Sequence, residues 1–530
     1  MCGICGFMDH KDGPISDTLD MLSKIRHRGP DQVGVYLNKN VWQAKTIDEL
    51  RRIGDEGPIS LGQSRLEIVG GEKGAQPIKG ERLTIVHNGE IYNHRELRKL
   101  LSHREIGSKS DSEVLLHLIE YFYEDNLVEA VKKTMPLLDG MYAFAVTDGK
   151  SLVLARDPVG KKPIYFTDSF PFYFASERKA ITSGAGIIKR LPPGKILEVS
   201  ERIRIEAGYE IERPPIEIND MEGALEAYES AFDRAIEKRV AGLDRVGVLF
   251  SGGIDSVLVA RSIQLTGCEI TCYSVGARGG GDIEMAQRSA KELGLNIKVE
   301  YLTEDLIQSL LPEIIETIEL NGLIQVEAAI PMYIAAEMCR EDNHKVMFTG
   351  QAADELFAGY SWYKDVVREK GYLALHDRLW DDIEKLYLDT LEREDRMAMA
   401  HSIELRAPFL DREVIRTAMR IAPNLKIKDA DDKYRKLVHR ELALRKGIPR
   451  EIAYRPKSRA QDGTGVHEMI RSIAEKHFAG KKFNRVDVLD YGSNYRYLKE
   501  DYATPATLAL LEEITRVNKV DFLANKNEDL

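Results

Sequence analysis

The chain has 530 residues, 43% hydrophobic and 30% charged, and carries a formal net charge of −11 from 75 basic and 86 acidic side chains. That length accommodates two domains with separate cores, and the acidic balance argues against nucleic acid or an anionic membrane as partner. No apolar run approaches the roughly 18 residues of a membrane span, no targeting segment is expected ahead of Cys2, and the five cysteines, an odd number, argue against a disulfide framework. A cytoplasmic protein is expected.

Taken in order, Cys2-Gly3-Ile4-Cys5 has the spacing of a zinc or redox half-site, but no second Cys/His pair follows it. A small residue after the initiator methionine permits its removal, which would make Cys2 the N-terminus. Its own α-amino group, with a pKa near ~8, could then activate the thiol. A buried, inert cysteine is the ordinary alternative. Cys2-Gly3-Ile4-Cys5-Gly6 resembles the start of class II, N-terminal-nucleophile glutamine amidotransferases. Further motifs carry the same resemblance. His27-Arg28-Gly29-Pro30-Asp31 is the polar turn such proteins have after their first helix, and Asn40 to Pro58 reads as a surface insertion. Arg65-Leu66-Glu67-Ile68-Val69 resembles the glutamine-binding segment, whose arginine suits the α-carboxylate through its bidentate guanidinium. The strand Leu83 to Val86 delivers Asn88-Gly89-Glu90, which resembles the oxyanion hole, with Asn88 and Gly89 as donors. Asp111, opening a helical pattern, matches the residue that binds the substrate ammonium; a plain helix cap is its other reading.

Short alternating runs follow at Met141 to Val146, Leu152 to Ala155, Ile164 to Phe166 and Phe172 to Ala175, a strand-rich stretch. The connection Arg156 to Pro163 between them shows no catalytic chemistry. The resemblance implies an αββα glutaminase sandwich over residues 1–205, with a Pro-containing linker at 206–222.

From Leu225 the pattern turns helical, with Leu225, Tyr228, Phe232 and Ile236 on one face. The apolar run Val246 to Phe250 then breaks at Ser251-Gly252-Gly253-Ile254-Asp255-Ser256 and passes into a helix. Strand, glycine loop and helix N-terminus together present backbone N–H groups to an anion, and no Gly-Lys-Ser/Thr makes it a Walker A loop. It resembles the pyrophosphate loop of ATP pyrophosphatases; a tight turn alone would explain the glycines but not Asp255 and both serines. Strands at Ile270 to Val275 and Ile297 to Leu302 flank a helix at Ile283 to Leu293, so a doubly wound parallel sheet is expected, with ligands at its carboxyl ends. The strand Val346 to Phe348 leads to Thr349-Gly350-Gln351-Ala352-Ala353-Asp354-Glu355, where Asp354 could sit beside Asp255 and hold magnesium.

Three further stretches make the whole chain similar to glutamine-dependent asparagine synthetases: Arg393 to Asp411, the basic segment Lys433 to Leu437 expected as helix, and Tyr454 to Arg459. The resemblance implies a synthetase domain over 223–515 and a polar tail at 516–530, with a terminal helix at Pro505 to Val520. It implies ATP contacts at Leu249, Ser251, Gly252, Gly253, Asp255, Ser256, Val275, Thr349 and Gly350, Mg2+ on Asp255 and Asp354, and catalytic roles for Cys2, Asn88, Gly89, Gln351 and Lys457. Lys457 would stabilise the pentavalent phosphorus. The substrates implied are glutamine, aspartate and ATP, a homodimer is compatible, and a sheltered passage for ammonia is expected. One departure stands out: where the family has Ser-Gly-Glu-Gly-Ser-Asp-Glu, this chain has Gln351 for the glutamate that serves aspartyl-adenylate formation. Two rivals therefore remain: a same-build synthetase of the β-lactam or lasso-peptide kind acting on another carboxylate, and a nucleotide-binding protein without catalysis. The intact Cys2, Arg65, Asn88 and Asp111 set favours an ammonia user over the first.

Overall fold

A computed structural model describes residues 2–68, 71, 74–102, 104–182, 186–455, 464–480 and 503–517. The chain divides into two compact units, the first built on residues up to Glu212 and the second from Arg213 onward.

The first unit follows from strands with a period of two. On Cys2–Pro14, Ile4 and Met8 face one core while Cys5 and Phe7 face another. On Gly140–Thr147, Ala143 and Ala145 point one way, and Tyr142, Phe144 and Val146 the other. Every strand that is apolar on both faces must be covered on both. The result is two stacked sheets of seven and six strands sharing one core. The helix Ile15–Lys24 packs outside the first sheet, and Asp111–Phe122 with Leu127–Thr134 outside the second. These are the four layers of an αββα sandwich. Cys2–Pro14 lies inside the first sheet, between Phe172–Ala175 and Glu56–Arg65, which fixes the start of the chain from both sides.

The second unit holds a five-stranded, wholly parallel sheet in the order Asn296–Leu302, Glu269–Ala277, Arg245–Leu249, Val346–Phe348, Glu404–Arg406. Arg245–Leu249 is first in sequence yet central in space, so the order reverses beside it. Crossovers leave there in opposite directions and open a crevice at the carboxyl ends of Arg245–Leu249 and Val346–Phe348.

Two expectations are revised. Asn40 to Pro58 is more than a surface insertion: Asn40–Ala44 forms the sheet's edge strand, and the short helix Ile47–Leu50 buries Leu50. Lys433 to Lys436 are not helical. Arg435 and Lys436 both take left-handed backbone, at φ 56° and 53°, and the helix starts only at Leu437. The terminal helix is Pro505–Val517, and positions beyond it lie outside the described residues. Where the linker was drawn, the strand Ile203–Ala207 extends past residue 205 and the helix Met221–Val240 begins one residue before 222.

Asp411 ties the second unit together. It is buried, pairs with Arg239 at 2.6 Å and Lys238 at 2.5 Å, and caps the helix Arg412–Arg420 through the N–H of Glu413. Burial pushes its carboxyl up, but the two cations win and hold it well below the ordinary range. Asp411→Asn keeps the cap and strands the cations, and should cost about 3–5 kcal/mol in chemical denaturation. A depressed carboxyl stabilises fully above its unfolded pKa of about 3.9 and loses that contribution as pH falls through its folded value. The gap between wild type and variant should accordingly narrow below about pH 4.

Candidate functional site

In the first unit the edge of the sandwich collects one cysteine and its neighbours. Cys2 is paired in register with Arg65, so the end of one strand lies beside the end of the next. The backbone N–H of Leu66 bonds the Cys2 sulfur, and Arg65 and Asp111 lie close enough to act on it electrostatically. Burial raises the thiol above its ordinary pKa; the chain's amino terminus, the Leu66 N–H and Arg65 pull it back in part, while Asp111 raises it further. At neutral pH the resting group is a thiol and needs a base. The main-chain nitrogen of Cys2, the atom that becomes the α-amino group after methionine removal, donates to Asn88 Oδ1 at 3.3 Å. Asn88 and Gly89 lie on the strand Thr84–Ile91, and a Cβ at Gly89 would stand 2.0 Å from the carbonyl oxygen of Met141. Only glycine lets these two strands pair at that point.

Further contacts hold these groups in place. Arg28, fully buried, donates to the Cys2 carbonyl at 3.2 Å and pairs with Glu177 at 2.7 Å. Burial pushes Glu177 up, but His27, Lys179 and Arg28 together hold it well below the carboxylate range. Ser176 accepts from the N–H of Ile4 at 3.0 Å. Arg65 donates to Gln32 at 3.3 Å and to the Gly71 carbonyl at 2.5 Å, which aims its guanidinium. Asp111 is the first residue of its helix and Ser110 its cap; the Asp111 carboxylate accepts from the N–H groups of Ile91 at 2.9 Å and Ser112 at 2.8 Å. Glu90 follows Gly89 on its strand and is buried, and Glu67 takes its N–H to Asp31 at 2.8 Å. Ile68 is half-buried, whereas Val69 lies outside the described residues. Asp157, in the connection without catalytic chemistry, is a buried staple that accepts from the N–H groups of Tyr142, Val159, Lys161 and Lys162.

In the second unit the strand Arg245–Leu249 ends in a loop whose Ser251 is exposed, and the helix Ile254–Leu265 starts behind it. Gly252 has φ +69°, and a Cβ there would meet the backbone of Ala286 at 2.6 Å. Ser251 and Ser256 hydroxyls lie 3.4 Å apart across the loop, and Val275 lies on the adjacent parallel strand. Thr349 and Gly350 end the neighbouring strand, and a Cβ on Gly350 would stand 2.9 Å from Asp255. The turn carrying Gln351 therefore packs directly on the phosphate-type loop.

Asp255 and Asp354 do converge, but on a third group. Lys436, 1% exposed, places its Nζ 2.6 Å from Asp255 and 2.8 Å from Asp354. Behind it His439 Nε2 lies 3.1 Å from Asp255, and His439 Nδ1 lies 2.8 Å from the Tyr228 hydroxyl. Burial lowers His439 below its ordinary pKa against the pull of Asp255. No group of three or more His, Cys, Asp or Glu among the described residues is arranged to hold a metal. Two carboxylates on a phosphate-type loop nevertheless suit magnesium, which takes one or two carboxylates and completes its shell with phosphate oxygens and water. Lys457 lies outside the described residues. Neither Lys436 nor His439 carries a local signal, since each reaches Asp255 only through the fold.

A glutamine amidotransferase domain model matches residues 1–205, and an asparagine synthase model matches 227–373 and 368–512. The chain is thus a glutamine amidotransferase domain joined to an asparagine synthase domain. A protein of Methanocaldococcus jannaschii, provisionally named glutamine-hydrolyzing asparagine synthetase 1, is 36% identical over 91% of this chain and 97% of its own. Glutamine-hydrolyzing asparagine synthetases 2 and 3 of Arabidopsis thaliana are 27% and 29% identical over 95% and 90% of this chain and 86% and 82% of theirs. The chain belongs to the glutamine-hydrolysing asparagine synthetase family.

Ala352 stands where the family motif has glycine, and its φ is +76°. A Cβ in left-handed backbone costs about 1 kcal/mol, and here it is 1% exposed. Ala352→Gly should stabilise the second unit by up to that amount in urea denaturation, offset in part by the freedom glycine adds to the unfolded chain.

Proposed function

We propose that this chain makes asparagine, glutamate, AMP and pyrophosphate from aspartate, glutamine and ATP, in the cytoplasm. The observation that carries the first half is the contact of the Cys2 nitrogen with Asn88 beside a buried thiol. The freed α-amino group takes the thiol proton, and the thiolate attacks the glutamine amide carbon. Because Asn88 Oδ1 is held by that amine, its Nδ2 is turned to the other side, where with the Gly89 N–H it meets the developing oxyanion. Arg65 takes the glutamine α-carboxylate and Asp111 its ammonium. Ammonia leaves with the amine's proton, and water releases glutamate from the thioester.

In the second unit the N–H groups of Ser251 to Ser256 and the helix start behind them bind the ATP phosphates. Asp255 and Asp354 would hold Mg2+, which supplies charge neutralisation of the polyphosphate. The aspartate side-chain carboxylate displaces pyrophosphate, and ammonia displaces AMP from the acyl-adenylate. All five cysteines are free, which suits a reducing compartment.

Cys2→Ala should abolish glutamine hydrolysis yet leave asparagine formation from added ammonium salts, because the adenylating unit needs only ammonia. Loss of both in a folded variant would refute this division of labour. For Gln351, an amide keeps the length and one acceptor of a glutamate but not its charge. If that position works by hydrogen-bonded placement, Gln351→Glu changes aspartate-dependent pyrophosphate release within about tenfold, or 1.4 kcal/mol. A gain of several orders of magnitude would mean that the natural acceptor is another carboxylate.

A further inference from the structure

Lys436 occupies the point at which a cation bound by both Asp255 and Asp354 would sit. Its ammonium reaches one oxygen of each, and the side chain is almost fully buried. A Cβ on Gly359 would stand 2.1 Å from Lys436 Cε and 1.8 Å from Asp354 Oδ1, so the backbone at Gly359 is pressed against the pair. Arg435 holds that wall in place, donating to the Gly359 carbonyl at 2.9 Å. The backbone is strained to deliver the lysine: Arg435 and Lys436 are consecutive left-handed residues, neither of them glycine. Such strain persists only where its surroundings enforce it, and it gathers at working sites.

We propose that Lys436 is a built-in cation placeholder, which keeps the two carboxylates assembled in the empty site and makes divalent-metal binding conditional on nucleotide. The inference rests on the assignment of Asp255 and Asp354 as metal ligands. Two carboxylates alone carry two negative charges; the ammonium returns one and takes the shared position. A bare divalent ion must then displace a buried, paired charge and gains little. Triphosphate oxygens change the balance, since they supply further negative charge and a second seat for the ammonium, and the metal enters together with them. His439, which reaches the same Asp255 oxygen and is itself held by Tyr228, remains beside that carboxylate while Lys436 moves.

The test is Mn2+ binding to the full-length protein, followed by electron paramagnetic resonance with and without a non-hydrolysable ATP analogue. Wild type should bind Mn2+ at least about tenfold more tightly with the analogue than without it, and Asp354→Asn should remove the difference. Lys436→Met should bind Mn2+ without nucleotide, and adding Asp354→Asn should abolish that binding. A poorly folded Lys436→Met still reports, because a cation that binds only the folded state raises its Tm; Mn2+ alone should raise the Tm of this variant and leave wild type unmoved. Asp354-dependent Mn2+ binding to wild type without nucleotide would overturn the placeholder and leave the metal ligands standing. So would Lys436→Met that gains neither Mn2+ binding nor a Tm shift. Absence of Mn2+ even with the analogue would remove the metal assignment itself, and the placeholder with it.

Discussion

Burying charge is the constraint on which both halves of this molecule depend. An ion removed from water costs several kcal/mol unless partners of opposite sign are held in good geometry, so a buried ion leaves its neighbours few positions. Arg28 and Glu177 sit behind Cys2, and the carbonyl of Cys2 itself is one of the partners Arg28 uses. Lys436 plays the same part behind the phosphate-type loop, and Asp411 with Arg239 and Lys238 braces the elements around it. Behind Cys2 the ion pair lies one step from the cysteine, whereas Lys436 pairs directly with Asp255 and Asp354.

Glycine supplies the complementary device. Three glycines occupy points where two pieces of backbone, or backbone and an ion pair, come closer than a Cβ allows: Gly89 against Met141, Gly350 against Asp255, and Gly359 against Asp354 and Lys436. Each brings a segment into contact with its support, the strand of Asn88 and Gly89 with its neighbour, the Gln351 turn with the loop, and the wall with the lysine. Rigidity at such points matters because catalytic geometry tolerates only small displacements.

The sequence is most legible where chemistry is local. The Ser251 to Ser256 loop, the Asn88-Gly89 pair and the parallel sheet could be read because their residues are neighbours in the chain and their patterns have fixed periods. The convergence of Asp255 and Asp354 could be anticipated from strand order, since both follow strands adjacent in the sheet. Lys436 could not. The basic run Lys433 to Leu437 has the composition of a helix, and only tertiary contact shows that two of its residues leave helical geometry so that one can reach across 181 positions. The pairing of Arg28 with Glu177 was hidden for the same reason, the two being 149 residues apart. The edge strand Asn40–Ala44 was not foreseen within the segment read as a surface insertion, because an edge strand buries little and so leaves a weak alternation.

The amide at Gln351 fits the charge already present around it. Gln351 opens the turn into the helix Ala353–Phe357, which carries Asp354 and Glu355. Glu355 is buried and accepts from the Tyr360 hydroxyl at 2.7 Å. Glu394 is buried too: burial pushes its carboxyl up to about 7, Arg393 lowers it, and the charge of Glu355 raises it further. A carboxyl displaced so far is part protonated near neutrality, as expected for one held away from water. A glutamate in place of Gln351 would add one more beside Asp354, where the incoming ATP and the acceptor carboxylate are both anionic. An amide in that position can donate to one anion and accept from a neighbour without repelling either. On this electrostatic ground an amide at position 351 is compatible with an aspartate acceptor.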